Sequence, residues 1–162
     1  MKVESQVRSA ESQKRGLRPL TLDPPLLTLV VMHLFTYGTL VFPEVWQRIA
    51  VREAVAERAT LCGFAIYRVK DAIFPGIVRA GEVDRVSGML YRDLDDDTLF
   101  ELDAYESDFY QRLAVSVVTE EGESVEGQAY LVPDSRRDML TDEPWDAQWF
   151  AEHKLAKYLS GA

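Results

Sequence analysis

The sequence is poor in the residues that build disulfide bonds and metal sites. Cys62 is the sole cysteine, so no disulfide can form within the chain and nothing favours an oxidising compartment. Only two histidines, His33 and His153, accompany it, too few to assemble a zinc site of thiolate and imidazole ligands. We therefore predict no metal, no disulfide and a cytoplasmic location, with Cys62 as an inert core residue in an apolar strand.

Basic residues are scarce relative to acidic ones, and the glycine-rich nucleotide motifs are absent. Lys and Arg number 18 against 27 Asp and Glu, a net charge of −9 that opposes binding to nucleic-acid phosphates. Neither a Rossmann glycine signature nor a phosphate-binding loop with its lysine occurs, so the sequence gives no support for a nucleotide cofactor. The apolar run at residues 26–35 is too short to span a bilayer and predicts a buried strand without membrane contact.

What remains is a single domain with a distinct N-terminal segment. Residues 1–28 are polar and then broken by Pro19, Pro24 and Pro25, which predicts a flexible extension. Residues 29–162 are long enough to bury a core and form one predicted domain. Because Met32 lies within the first apolar strand, a further hypothesis is that translation begins there, which the intact mass of the natively expressed protein would test.

The apolar patterning predicts an antiparallel α+β fold. Strands are expected at 26–35, 60–69, 83–91, 110–119 and 124–132, with a bend at Pro75-Gly76. Helices are expected from Pro43 through Ile49, before Glu106, and over Trp145–Leu159. Most turns between strands are too short for a crossover helix, which favours a small, mostly antiparallel β-barrel with flanking helices.

Glu106 is the residue with the most unusual position. Helical spacing places it on the same face as Leu99 and Leu102, so it continues an inward-facing apolar stripe. A desolvated carboxyl group has a raised pKa, which suits a side chain that both takes and returns a proton. The alternative is that the helix ends near Tyr105 and leaves Glu106 solvated.

An acidic run precedes this helix. Asp93 to Asp97 lacks the alternating ligands, central glycine and closing glutamate of a calcium-binding loop. We interpret the run as a solvated helix start, with Asp96 or Asp97 as the N-cap.

The turn at Tyr37-Gly38-Thr39-Leu40 is the second candidate element. Its consecutive backbone N–H groups can hold a carboxylate, or the oxygen that gains charge when a carbonyl is attacked. The alternative is an ordinary turn that ends a strand and packs Tyr37 inward.

Four ordered blocks of the sequence resemble the gamma-glutamylcyclotransferase-like family, in particular its AIG2-like branch. The resemblance spans Met32 to about Trp149, with Ser107 standing where relatives often have glycine. The blocks are Leu34-Phe35-Thr36-Tyr37-Gly38-Thr39-Leu40, Phe74-Pro75-Gly76-Ile77, Val86-Ser87-Gly88-Met89-Leu90-Tyr91, and Leu102-Asp103-Ala104-Tyr105-Glu106 through Tyr110-Gln111-Arg112.

The resemblance implies a small β-barrel and an acyl-transfer reaction without a cofactor. In that reaction the free α-amine of a γ-glutamyl substrate attacks its own side-chain carbonyl, which gives 5-oxoproline and a released amine. Glu106 is the implied acid/base, and substrate binding is expected at Tyr37, Gly38, Thr39, Leu40 and Tyr110. Arg112 is expected either to face the pocket or to pair with Asp103 or Glu106.

Two other functions stay open from the sequence. A non-catalytic module on the same fold could bind a small metabolite or a protein, although an inward carboxylate is costly to keep for stability alone. Glycoside hydrolysis would need Glu101 or Asp103 beside Glu106, but carboxylates from one helix do not readily flank a sugar from opposite faces.

Overall fold

The computed structural model describes residues 32–50 and 52–161, and in it five strands close into a barrel. They are β1 (Met32–Thr36), β2 (Val55–Cys62), β5 (Arg85–Leu94), β6 (Gln111–Thr119) and β7 (Ser124–Leu131). The order around the barrel is β1-β5-β2-β6-β7. Neighbouring strands run antiparallel except at the closure, where Leu34 of β1 pairs in parallel with Gln128 of β7. The predicted α+β barrel is confirmed.

A second sheet of three antiparallel strands accompanies the barrel. It consists of β3 (Phe64–Val69), β4 (Pro75–Arg79) and β8 (Leu140–Pro144), in the order β4-β3-β8. The prediction of one continuous strand over 60–69 was therefore wrong. Gly63 has a φ of +84°, a left-handed conformation that suits glycine, and it ends β2 and redirects the chain into β3.

Pro75-Gly76 does not form the predicted bend but begins strand β4. Proline is tolerated as the first residue of a strand because its missing N–H interrupts no ladder there. A Cβ on Gly76 would lie only 2.3 Å from a methyl carbon of Val132. The glycine therefore allows β4 to approach the end of β7 closely, an arrangement secured by a hydrogen bond from the Val132 N–H to the Ile77 carbonyl.

The helices pack outside the barrel. Helix α1 (Pro43–Ile49) has proline at its first position, where no N–H is needed. Helix α2 (Asp96–Glu106) begins at Asp95, whose carboxylate accepts a hydrogen bond of 2.9 Å from the Thr98 N–H. The N-cap is thus one residue earlier than predicted, because the side chain of Asp95 is the one that reaches the third N–H of the helix.

The predicted C-terminal helix is two short helices. Helix α3 spans Ala147–His153 and helix α4 spans Leu155–Ser160, with Lys154 between them in a non-helical conformation. The ring of Tyr158 in α4 meets that of Phe150 in α3 edge to face, with centroids 5.8 Å apart. This contact packs α4 against α3.

Two apolar clusters hold these layers together. One fills the barrel and includes Phe35, Leu61, Leu90 and Val117. The other lies between the barrel and the helices and includes Trp46, Leu99 and Leu102, with Trp46 and Tyr91 stacked at 3.7 Å. Burial of this much apolar surface is the main source of stability for a domain of this size.

Two sequence expectations have different outcomes here. Cys62 is exposed, so its predicted core position was wrong: Leu61 occupies the inward side of β2, and the alternation of a strand turns the next residue outward. The predicted extension at residues 1–28 lies outside the described residues. Within the described part of the chain, no helix combines the length and apolar character needed to cross a membrane.

Candidate active site

Helix α2 carries Glu106 as its last residue. Leu99 and Leu102 on the same face are buried, which confirms the inward stripe and the placement of Glu106 on it. The helix extends through Glu106 and does not end before it, so the carboxyl group lies in a cavity between α2 and the barrel.

The turn after β1 also lines this cavity. Residues Thr39–Val41 form one 3-10 turn, whose first hydrogen bond runs from the Val41 N–H to the Gly38 carbonyl at 3.1 Å. The N–H groups of Gly38, Thr39 and Leu40 precede that bond, so they lack a partner inside the turn. The hydroxyl of Tyr91 donates to the Leu40 carbonyl at 2.9 Å and holds the turn from behind.

The cavity has a volume of about 300 Å³. It brings together all six of the residues selected from the sequence, namely Tyr37, Gly38, Thr39, Leu40, Glu106 and Tyr110. Its size is at the lower end of the range for small-molecule sites, about 300–1,000 Å³. An amino-acid-sized group therefore fits, while a folded polypeptide does not.

Several aromatic residues of the lining were not predicted from the sequence. Tyr105 precedes Glu106, Tyr130 lies on β7, and Tyr158 comes from α4. Phe74 and Phe109 also line the cavity. The sequence did contain a hint, because tyrosines occur next to or near each element of the candidate site. Whether they meet in one cavity depends on tertiary structure.

Burial dominates the electrostatics of the site. Desolvation raises the pKa of Glu106 from 4.5 to about 8, and within the described lining no Lys or Arg offsets that effect. The side chain keeps partial contact with solvent through the cavity mouth. A carboxyl with a pKa near neutrality can exchange protons in both directions at physiological pH.

Three tyrosine hydroxyls around the cavity have their own protons engaged. Tyr37 donates to the Tyr130 carbonyl, Tyr110 donates to the Pro75 carbonyl at 2.7 Å, and Tyr130 donates to Asp103 at 2.6 Å. Burial raises the pKa of each of them well above its usual value, so they stay protonated. Toward a ligand, such hydroxyl oxygens can only accept hydrogen bonds.

Arg112 lies outside the cavity lining. Its guanidinium group donates to both carboxylate oxygens of Asp103, at 2.8 and 3.0 Å, and to the side-chain oxygen of Gln128. Of the two partners predicted, the structure thus selects Asp103. Burial raises the pKa of Asp103, but the hydrogen bonds from Arg112 and Tyr130 outweigh that effect and hold the pKa below its usual value.

This ion pair also bears on glycoside hydrolysis. Asp103 is engaged by Arg112 and Tyr130, and Glu101 is exposed on another side of α2. In the described lining, Glu106 is the one acidic side chain. The paired carboxylates that the reaction needs are not brought together. Elsewhere in the described ranges, no three His, Cys, Asp or Glu side chains converge as metal ligands would.

Ser107 ends α2 in a strained conformation. Its φ of 64° and ψ of −174° belong to a region that is essentially restricted to glycine, and such strain costs about 1–3 kcal/mol.

The substitution Ser107→Gly is expected to raise the free energy of unfolding by about 1 kcal/mol, measured by urea denaturation. The control Ser107→Ala removes the hydroxyl but keeps the Cβ and should bring no gain, so equal stabilisation by both variants would contradict the strain.

One cavity beside the barrel is thus lined by a desolvated carboxyl and a backbone turn, and comparison with known proteins identifies the family. The model of the family "Gamma-glutamyl cyclotransferase, AIG2-like" matches residues 34–147. The chain therefore belongs to this family, as the resemblance in its sequence indicated.

Individual relatives agree with this assignment. AIG2-like protein C of Arabidopsis thaliana is 31% identical over 128 residues, which cover 78% of this chain and 73% of that protein. The solution structure of an Arabidopsis thaliana protein superposes with a TM-score of 0.62 at 27% identity, covering 83% of this chain and 89% of that protein. A gamma-glutamyl cyclotransferase structure superposes with a TM-score of 0.59 at 19% identity, covering 82% and 86%, and shares the fold.

Proposed function

We propose that this protein is a γ-glutamyl cyclotransferase that converts the γ-glutamyl group of an amine or peptide conjugate into 5-oxoproline and releases the amine. The observation that carries the proposal is the placement of Glu106, a carboxyl with a pKa of about 8, in one small cavity with the backbone turn at 38–40. Family membership supports the class of reaction.

The polar groups of the cavity match the two ends of an amino acid. The N–H groups of Gly38, Thr39 and Leu40 are donors suited to the α-carboxylate. Glu106 and the hydroxyl oxygens of Tyr37 and Tyr110 are acceptors suited to the α-ammonium group. A substrate held at both ends presents its side-chain carbonyl to its own α-nitrogen, and this positioning supplies much of the rate enhancement in an intramolecular reaction.

In the proposed reaction Glu106 handles the protons. An approaching ammonium group favours the carboxylate form of Glu106, which removes a proton and leaves a nucleophilic amine. The amine nitrogen attacks the side-chain carbonyl carbon and forms the five-membered ring. The bond to the leaving nitrogen then breaks as Glu106 gives its proton to that nitrogen, and the carboxylate so formed takes the second proton from the ring nitrogen, which leaves neutral 5-oxoproline. Glu106 passes this second proton to the released amine, which departs as an ammonium group, so the carboxylate form is restored.

The first test is a direct assay of 5-oxoproline release by the full chain. The panel contains γ-glutamyl amino acids, γ-glutamyl amines, γ-glutamyl-ε-lysine and glutathione. Release from at least one conjugate, at a rate linear in protein concentration, is the expected result and identifies the leaving group. Absence of release across the panel by folded protein would contradict the cyclotransferase proposal and favour a non-catalytic binding module on the same fold.

A further inference from the structure

The C-terminal helix α4 contributes a side chain to the cavity from outside the segment that the family model matches. That match ends at residue 147, whereas Tyr158 lines the cavity near Glu106 and Thr39. Its ring is held by the edge-to-face contact with Phe150, and its hydroxyl contacts the hydroxyl of Tyr105.

Three hydroxyl groups form a continuous chain along one wall of the cavity. Thr39 Oγ1 lies 2.8 Å from the hydroxyl oxygen of Tyr105, which is hydrogen-bonded in turn to the hydroxyl of Tyr158. The chain therefore connects the backbone turn, the end of α2 and α4. Thr39 is largely removed from bulk water, with 7% of its surface exposed, and Tyr105 is half-buried.

The number of hydrogens in this chain limits how it can be arranged. Three hydroxyls carry three hydrogens, and the two bonds between them use two, so one hydrogen is left for another partner. A carboxylate held at the turn 38–40 would select the arrangement in which Thr39 donates to it. Tyr158 then donates to Tyr105, Tyr105 donates to Thr39, and each bond strengthens the next.

We propose that Tyr158 is a positioning residue, which acts through Tyr105 to orient the Thr39 hydroxyl as a donor to the carboxylate of a bound γ-glutamyl ligand. This inference rests on the proposed function for the identity of the ligand. Helix α4, which lies outside the segment matched by the family model, would then contribute to ligand binding. Tyr158 takes no part in the proton transfer assigned to Glu106, because it affects the ligand only through the hydrogen bonds of the chain.

The test measures the affinity for 5-oxoproline, whose carboxylate is retained from the substrate, by isothermal titration calorimetry. Tyr158→Phe keeps the ring and removes the hydroxyl, and it is expected to weaken binding about 3- to 10-fold, the range for loss of one hydrogen bond in a connected network. Thr39→Val is expected to weaken binding by at least as much. Tyr67→Phe removes a hydroxyl from β3, outside the cavity lining, and serves as the matched control with unchanged affinity.

The double variant Thr39→Val/Tyr158→Phe separates positioning from a purely structural role. If Tyr158 acts through Thr39, the double variant binds no more weakly than Thr39→Val alone. Additive losses, or an affinity of Tyr158→Phe equal to that of the unmodified protein, would overturn the inference, as would failure of the unmodified protein to bind 5-oxoproline. Circular dichroism confirms that each variant is folded.

Kinetics distinguish this inference from the proposed function. In the release assay, Tyr158→Phe should raise KM several-fold and change kcat less than about twofold. The lost hydrogen bond stabilises the bound substrate and the transition state equally, and proton transfer by Glu106 is unaffected. Loss of kcat with KM unchanged would overturn the positioning role. The unmodified protein could instead bind 5-oxoproline, with non-additive losses in the Thr39 and Tyr158 variants, and yet turn over no conjugate. That result would contradict the proposed function and still support the role of the hydroxyl chain in binding.

Discussion

Substitution of Glu106 by glutamine is expected to reduce the release of 5-oxoproline at least about 100-fold, and up to about 10,000-fold, the range typical for removal of a general acid/base. Glutamine keeps the size and shape of the side chain but cannot carry a proton between the attacking and the leaving nitrogen. The measurement is kcat for the best conjugate of the panel, taken at saturating substrate with both proteins at the same concentration.

A matched control comes from the same helix. Glu101→Gln makes the same chemical change on the exposed side of α2, five residues earlier, and should leave kcat within about twofold because such surface substitutions have small effects. If Glu106→Gln were folded and retained more than a tenth of the activity, Glu106 would not be the acid/base. Equal losses in both variants would point to damage to α2.

The second large effect is on stability, and it depends on pH. The pKa of Glu106 is about 8 in the folded protein against 4.5 for an unperturbed side chain, so the fold favours the neutral carboxyl. Below pH 4.5 both states hold the proton and no penalty arises. As the pH rises toward 8 the unfolded chain releases its proton and the folded chain does not, so the free energy of unfolding falls through this interval.

Glu106→Gln removes this penalty because the amide is neutral at every pH. At pH 9 the variant is therefore expected to be more stable than the unmodified protein by on the order of 3 kcal/mol, a value reduced from the full pKa difference because the side chain keeps some solvent contact. Near pH 4 the two proteins should unfold at nearly the same urea concentration. A stability difference independent of pH between 4 and 9 would show that Glu106 ionises normally.

The sequence predicts the local elements that carry the candidate residues better than it predicts the connections around them. The stripe of Leu99, Leu102 and Glu106 and the turn at Gly38 are local patterns, and local patterns survive folding. Both elements lie where the sequence predicts them, and Glu106 and the turn line one cavity. The roles of these residues in catalysis remain predictions.

The errors arose where tertiary contacts override local preference. Pro75-Gly76 has the composition of a turn, yet the glycine serves the close approach of Val132 within a strand. Tyr158 gave no local signal of a site, because its place in the cavity depends on how Lys154 breaks the terminal helix in two. Cys62 has apolar neighbours in sequence, but the alternation of β2 turns it outward.

The closure of the barrel between β1 and β7 has a consequence for biosynthesis. The hydroxyl of Tyr37 and the carbonyl of Tyr130 meet although they are 93 residues apart, and pairing of such distant segments has a high entropic cost and comes late in folding. Strand β1 leaves the ribosome first in this domain, and it can pair with β7 only after most of the domain has been made. A nascent chain that has not yet reached α4 lacks Tyr158, so the lining of the cavity is complete only after α4 has been made.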